Sequence, residues 1–161
     1  MSAAPSPAAA LRSASRTELA LGLAGTVLSL VGLALASYLT VAHYTDARAL
    51  VCSDKGTINC LKVTTSSYAV QHGVPLAVLG LVFFAVMLPL QLPAAWSRPD
   101  PLLRRARLVV AAVGAAAAVW LVWVELFRLD AVCLYCTGVH VVAVALFALT
   151  GVGTALTAPL D

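Results

Sequence analysis

The chain has 161 residues, 61% of them hydrophobic and 11% charged, with a formal net charge of +3. Soluble domains are closer to half apolar and about a quarter charged, so apolar residues in this excess, grouped into long blocks, exclude an ordinary soluble globule and leave room for one compact membrane domain. The positive balance does not indicate nucleic acid: Arg98, Arg104, Arg105 and Arg107 cluster beside an apolar block, and no basic stripe interleaved with aromatics accompanies them.

Residues 1–18 are rich in Ala, Ser and Pro, carry Arg12, Arg16 and Glu18, and show no period; they read as a disordered tail. Four apolar runs follow, expected as spans over about 19–41, 74–92, 108–127 and 132–156, with 157–161 as a second tail. A helix needs about 20 apolar residues to cross a hydrocarbon core roughly 30 Å thick. The first and fourth runs meet this easily. The second meets it closely, with Gly73 before it and Pro75 at a natural helix start. The third needs the turn of Glu125, Leu126 and Phe127 to complete it. A competing reading of the first run is a cleaved signal, because Ala34-Leu35-Ala36 resembles a signal-peptidase site. The run is longer than a usual signal core and continues through Tyr38 to Val41, which favours a span.

Orientation follows from Lys and Arg in the short connections. The segment between the second and third runs holds four Arg against Asp100, and the N-terminal tail holds Arg12 and Arg16. Between the first and second runs, Arg48, Lys55 and Lys62 are spread thinly, and Arg128 and Asp130 are the charges between the third and fourth. Both termini are therefore expected inside, with the first and third connections outside. Tyr38, Tyr44, Trp96, Trp120 and Trp123 are expected as interfacial anchors, and the Gly114–Ala118 run as a close-packing face. Glu125 and Arg128, three apart, are expected to pair on the helix surface.

This orientation puts all four cysteines outside, although no cysteine chemistry entered it. Cys133-Leu134-Tyr135-Cys136 is a CxxC opening a membrane helix, where unsatisfied N–H groups and the positive dipole end favour thiolate over thiol. Cys52 and Cys60 enclose a polar seven-residue segment with Gly56. They suit either a static disulfide bracing a loop or the mobile half of a relay. A four-thiolate zinc site fits poorly: the spacings are unequal and no histidine completes a ribbon, so no metal is expected. Two pairs on one face can pass electrons by thiol–disulfide exchange. A lipid-soluble acceptor of two electrons is then required, and a quinone meets that description.

The Cys52–Cys60 spacing, Ser66 six residues after Cys60, the Gly73-Val74-Pro75 lead-in and the CxxC at the start of the fourth run together resemble the vitamin K epoxide reductase family in its bacterial form. The resemblance covers roughly residues 19–156. The disulfide bond formation protein B family has similar chemistry on four helices, but its CxxC lies in the first outer loop. The resemblance implies that Cys136 attacks or donates to the quinone, that Cys133 is its partner and exchanges with Cys60, and that Cys52 exchanges with a thioredoxin-like protein. Ser66 matches a family Ser/Thr near the active site. A tyrosine found in the animal enzymes four residues past the CxxC is His140 here, and the family's pocket asparagine has no clear counterpart. No thioredoxin domain follows residue 156, so a separate exported partner is expected.

His140 lies one turn below Cys136 and suits a hydrogen bond to a quinone oxygen, a proton shuttle or a bond to a neighbouring helix. Tyr68 and His72 precede the second run, as candidates for the same pocket or as plain interfacial residues. The expectation is an all-α integral membrane protein of the inner membrane, with a four-transmembrane-helix bundle and an outer loop or half-helix lid. It would oxidise a thioredoxin-like partner and reduce menaquinone, ubiquinone or a vitamin K-like quinone. The alternatives are a vitamin K epoxide reductase proper and a non-catalytic scaffold with a disulfide-braced loop.

Overall fold

The computed structural model describes residues 7–52, 56–98 and 100–157, without the side chains of 7–15 and 49. In chain order it forms helices α1 (Pro7–Tyr44) and α2 (Cys60–Thr64), strands β1 (Val70–Gln71) and β2 (Val74–Pro75), and helices α3 (Leu76–Gln91), α4 (Pro93–Trp96), α5 (Pro101–Phe127) and α6 (Leu134–Leu156). Short 3-10 turns at Ala47–Ala49 and Ser67–Ala69 join the small elements.

Among the described residues, three helices are long and apolar enough to cross a membrane: Arg16–Tyr44 within α1, then α5 and α6. At 16 residues α3 is shorter, about 24 Å long at 1.5 Å per residue. Both its ends have a cause. Val74 and Pro75, expected inside the second span, instead pair with β1 in a hairpin. At the far end Leu92 precedes Pro93 and takes ψ 144°, because a residue before proline is driven out of the helical region. The hairpin turn is His72-Gly73, with φ of 52° and 83°, the positive pair that a two-residue turn between twisted strands demands.

The helix start also differs from the sequence expectation. Residues up to 18 read as a tail, yet α1 is already helical at Pro7. Proline suits a first turn, and Ala8-Ala9-Ala10-Leu11-Arg12 are strong helix formers with no breaker before Leu19. Residues 1–6 and 158–161 lie outside the described residues.

α1 packs on α3 and α6, and α5 packs on α6 and α3. Small residues make these approaches possible: Gly32 of α1 faces the Phe84 ring, and Gly114 of α5 faces the Phe83 ring. Phe84, Met87, Ala111 and Leu146 are fully buried between them. At the end away from the cysteines, Gln91 donates to Thr150 Oγ1 (2.8 Å) and accepts from Trp96 Nε1 (3.0 Å). Trp96 is therefore a buried core residue and not the interfacial anchor the sequence suggested. Arg107 stacks 3.9 Å from the Trp96 ring and donates to the Ala95 carbonyl, so it is drawn into the core although it looked like part of a basic connection.

Adding one methyl at Gly32 drives it into the Phe84 ring. Gly32→Ala is expected to cost about 1–3 kcal/mol and lower the thermal midpoint in detergent. Gly151→Ala, where the new methyl meets open space, is expected to hold or raise it.

Candidate functional site

The cysteines sit where the α1 C-terminus, the α1–α3 connection and the α6 N-terminus meet. Cys52 and Cys60 form a disulfide, with Cα atoms 5.9 Å apart. Cys133 and Cys136 are free. Cys60 opens α2, capped by Asn59, whose Oδ1 accepts from the Lys62 N–H at 2.9 Å. Cys133 is the N-cap of α6, and its Sγ accepts from the Cys136 N–H at 3.4 Å. A sulfur at a helix N-cap faces unsatisfied donors and the positive end of the helix dipole, a position that favours negative charge on it.

Two backbone hydrogen bonds join the segments that carry the two pairs. The Asn59 N–H donates to the Val132 carbonyl (3.0 Å), and the Val132 N–H donates to the Thr57 carbonyl (2.8 Å), forming a parallel bridge between Ile58 and Val132. Cys60 lies two residues beyond Ile58 and Cys133 one beyond Val132, and both fall into one buried cluster, with Cys52 and Cys136 packed against it. The Tyr135 hydroxyl adds a contact to the Val51 carbonyl at 3.4 Å, and its ring lies 5.0 Å from that of Tyr38. The middle of the CxxC thus touches the backbone beside Cys52.

Beside this cluster lies a cavity of about 100 Å³, open along one side. A pocket of roughly 150 Å³ takes a benzene ring, so the space is of the order of one ring. Cys136, His140 and Val139 of α6 form one wall, with Ala36 and Leu39 of α1 and Ala77 and Gly80 of α3 opposite. Ser66 and Tyr68 close one side. Cys133 does not line the cavity; it lies behind Cys136, fully buried. The Ser66 hydroxyl donates to the Val63 carbonyl at 2.8 Å, leaving its oxygen free to accept. His140 is 6% exposed, and its Nδ1 has no partner among the described residues. A buried nitrogen without a partner in a cavity wall is the feature expected of a ligand contact.

Two expectations need correction here. His72 does not reach the cavity, because the positive φ of its turn holds it exposed at the hairpin tip. Glu125 does not pair with Arg128 on the surface. Arg128 lies over the Trp123 ring at 5.3 Å, while Glu125 is 5% exposed, lines the cavity and approaches the Cys133 backbone N–H. Helical spacing carried the signal. Glu125 is 18 residues, or five turns at 3.6 per turn, from Arg107, and the face between them holds buried Ala111, Ala115 and Ala118.

The bridge makes the Cys60–Cys133 juxtaposition testable. In a Cys52→Ala/Cys136→Ala double variant, mild oxidation is expected to link Cys60 to Cys133, read by non-reducing electrophoresis. Adding Val132→Pro removes the N–H that donates to Thr57 and is expected to cut the yield sharply. An equal yield would show that the bridge does not hold the two sulfurs together.

No curated protein matches the chain. The family model described as the vitamin K epoxide reductase family matches residues 23–151, a stretch that takes in all four cysteines and every wall of the cavity. With most of its length matched, the chain belongs to the vitamin K epoxide reductase family.

Proposed function

We propose that the chain is a membrane thiol:quinone oxidoreductase that oxidises a thioredoxin-like exported partner, reduces a quinone and so supports disulfide-bond formation. Membership of the family supports disulfide and quinone redox chemistry in a membrane. The observation that carries the specific reading is the division of labour in the CxxC. Cys136 lines a cavity of ring size, while Cys133 sits behind it in one cluster with the Cys52–Cys60 disulfide.

Electrons enter from the partner dithiol, whose thiolate attacks the disulfide at Cys52 and is released when its second thiol resolves the mixed disulfide. Cys60 then attacks Cys133 of an oxidised CxxC, and Cys52 resolves that link, leaving Cys133 and Cys136 as thiols. The pairing in the structure, with Cys52–Cys60 closed and the CxxC free, matches that state, with the electrons beside the cavity. Cys136 donates to the quinone and closes a disulfide with Cys133.

The residues present fit a quinone headgroup. The walls are mainly apolar, His140 Nδ1 has no other partner, and the Ser66 oxygen and Tyr68 lie at the edge. Menaquinone, ubiquinone and vitamin K-like quinones share the dione ring that such a site grips, and the open side leaves a path for the isoprenoid tail. His140 orients one quinone oxygen and can pass a proton to it. His72 is not among the contacts.

In the proposed topology α1, α3, α5 and α6 all cross the inner membrane. The hairpin and the Pro93–Trp96 turn extend α3, both termini are cytoplasmic, and the α1–α3 connection covers the cavity as a lid. A polar wall of Glu125, His140 and Ser66 then faces the bundle and not lipid, as intramembrane polar groups require.

Cys136→Ser is expected to abolish quinol formation from a reduced thioredoxin-like substrate, measured by quinone absorbance in detergent; normal turnover would overturn the reading. His140→Leu is expected to raise the quinone KM more than it lowers kcat. In whole cells, an impermeant maleimide applied after reduction is expected to label Cys52, and labelling from the cytoplasmic face alone would refute the topology.

A further inference from the structure

Among the described residues, Glu125 is the one carboxyl in the wall of the cavity. It is 5% exposed and no described cation pairs with it, Arg128 being held over Trp123. It approaches the Cys133 backbone N–H and lines the same cavity as Cys136. The other titratable groups facing this space are His140 from α6, His43 from α1 and Tyr68 from the connection, while α3 contributes Leu76, Ala77 and Gly80. A carboxyl so placed, near both thiols and open to the cavity that Cys136 shares, sits between the origin and the destination of the protons in a dithiol oxidation.

We propose that Glu125 carries a proton from the CxxC thiols to the bound acceptor, an inference that rests on the thiol:quinone reading above. As the Cys133–Cys136 bond forms, the two thiols give up two electrons and two protons, and the quinone must gain the same to become quinol. Glu125 takes one thiol proton as the S–H bond breaks and returns it to a quinone oxygen. The second thiol proton leaves through the cavity mouth, and one taken up there completes the other oxygen. Buried carboxyls inside membrane bundles mark proton pathways of this kind.

The competing role is structural, with Glu125 serving only to hold the Cys133 N–H. Gln separates the two, because its carbonyl oxygen can accept the same N–H but cannot carry a proton. In full-length protein with the Cys52–Cys60 disulfide intact, Glu125→Gln is expected to lower kcat roughly a hundredfold, the scale of one general acid–base group. The quinone KM should stay unchanged, and Glu125→Asp should recover part of the rate. A readout independent of quinone is the pH profile of Cys136 alkylation by iodoacetamide, followed by mass spectrometry. Wild type is expected to show two ionisation steps, one from Glu125 and one from the thiol, and Glu125→Gln one step. An unchanged kcat, or an unchanged alkylation profile, overturns the proposal. Should wild type reduce no quinone, the functional reading fails on its own. The alkylation profiles then still decide whether Glu125 exchanges protons with the thiols.

Discussion

Two backbone hydrogen bonds between Thr57, Asn59 and Val132 are the constraint on which the cysteine end depends. Among the described residues they are the backbone bonds that join the α1–α3 connection to the α5–α6 turn, at the isolated bridge of Ile58 and Val132. Cys60 follows this bridge by two residues and Cys133 by one, so their burial in one cluster is a consequence of the pairing. Each bond is modest, about 1 kcal/mol net, and it is their position that matters. A bridge of two bonds holds the segments in register, and the disulfide ties Cys52 to the same cluster through Cys60.

The helix caps do the rest of the positioning. Asn59 caps α2 so that Cys60 begins that helix, and Cys133 caps α6 with its own sulfur. With its extended φ and ψ (−100° and 119°), Cys133 accepts the Cys136 N–H on its own Sγ and is buried in one cluster with Cys60, while Cys136, in the first turn, lines the cavity.

The parts of this arrangement set by short-range patterns were legible in the sequence. The spacing of Cys133 and Cys136, the apolar runs of α1, α5 and α6, and the closeness of His140 to Cys136 needed only helical period and composition, whereas Ser66 was expected there only from the family resemblance. Where the reading failed, a local rule competed with burial. Glu125 and Arg128 have the spacing of a surface ion pair, and only the five-turn register with Arg107 reveals that Glu125 faces inward. Trp96 has the position of an interfacial anchor, but the chain turns at Pro93 so that Gln91 offers its indole an acceptor, and Arg107 of α5 offers a cation. His72 looked close to the cavity along the chain. The hairpin that carries it cannot be inferred from a two-residue strand.

The two ends of the bundle differ in how their polar groups are met. Away from the cysteines, Gln91 bonds Thr150 and Trp96, Arg107 donates to the Ala95 carbonyl while its Nε has no partner among the described residues, and Gly153 lets the Trp96 ring approach α6 closely. Such a knot is rigid because each buried polar group that leaves it would lose a partner it cannot replace. At the cysteine end, among the described residues, the cavity wall keeps His140 Nδ1 unpartnered and the Glu125 carboxyl without a cation. Those groups are costly in a bundle core unless something else completes them. Thr26 of α1 bonds the Gln91 carbonyl, Gln91 bonds Thr150 of α6, and Trp96 meets both Arg107 of α5 and Gly153 of α6, so the helices are tied to one another away from the cavity and its walls need not close on each other to hold the bundle.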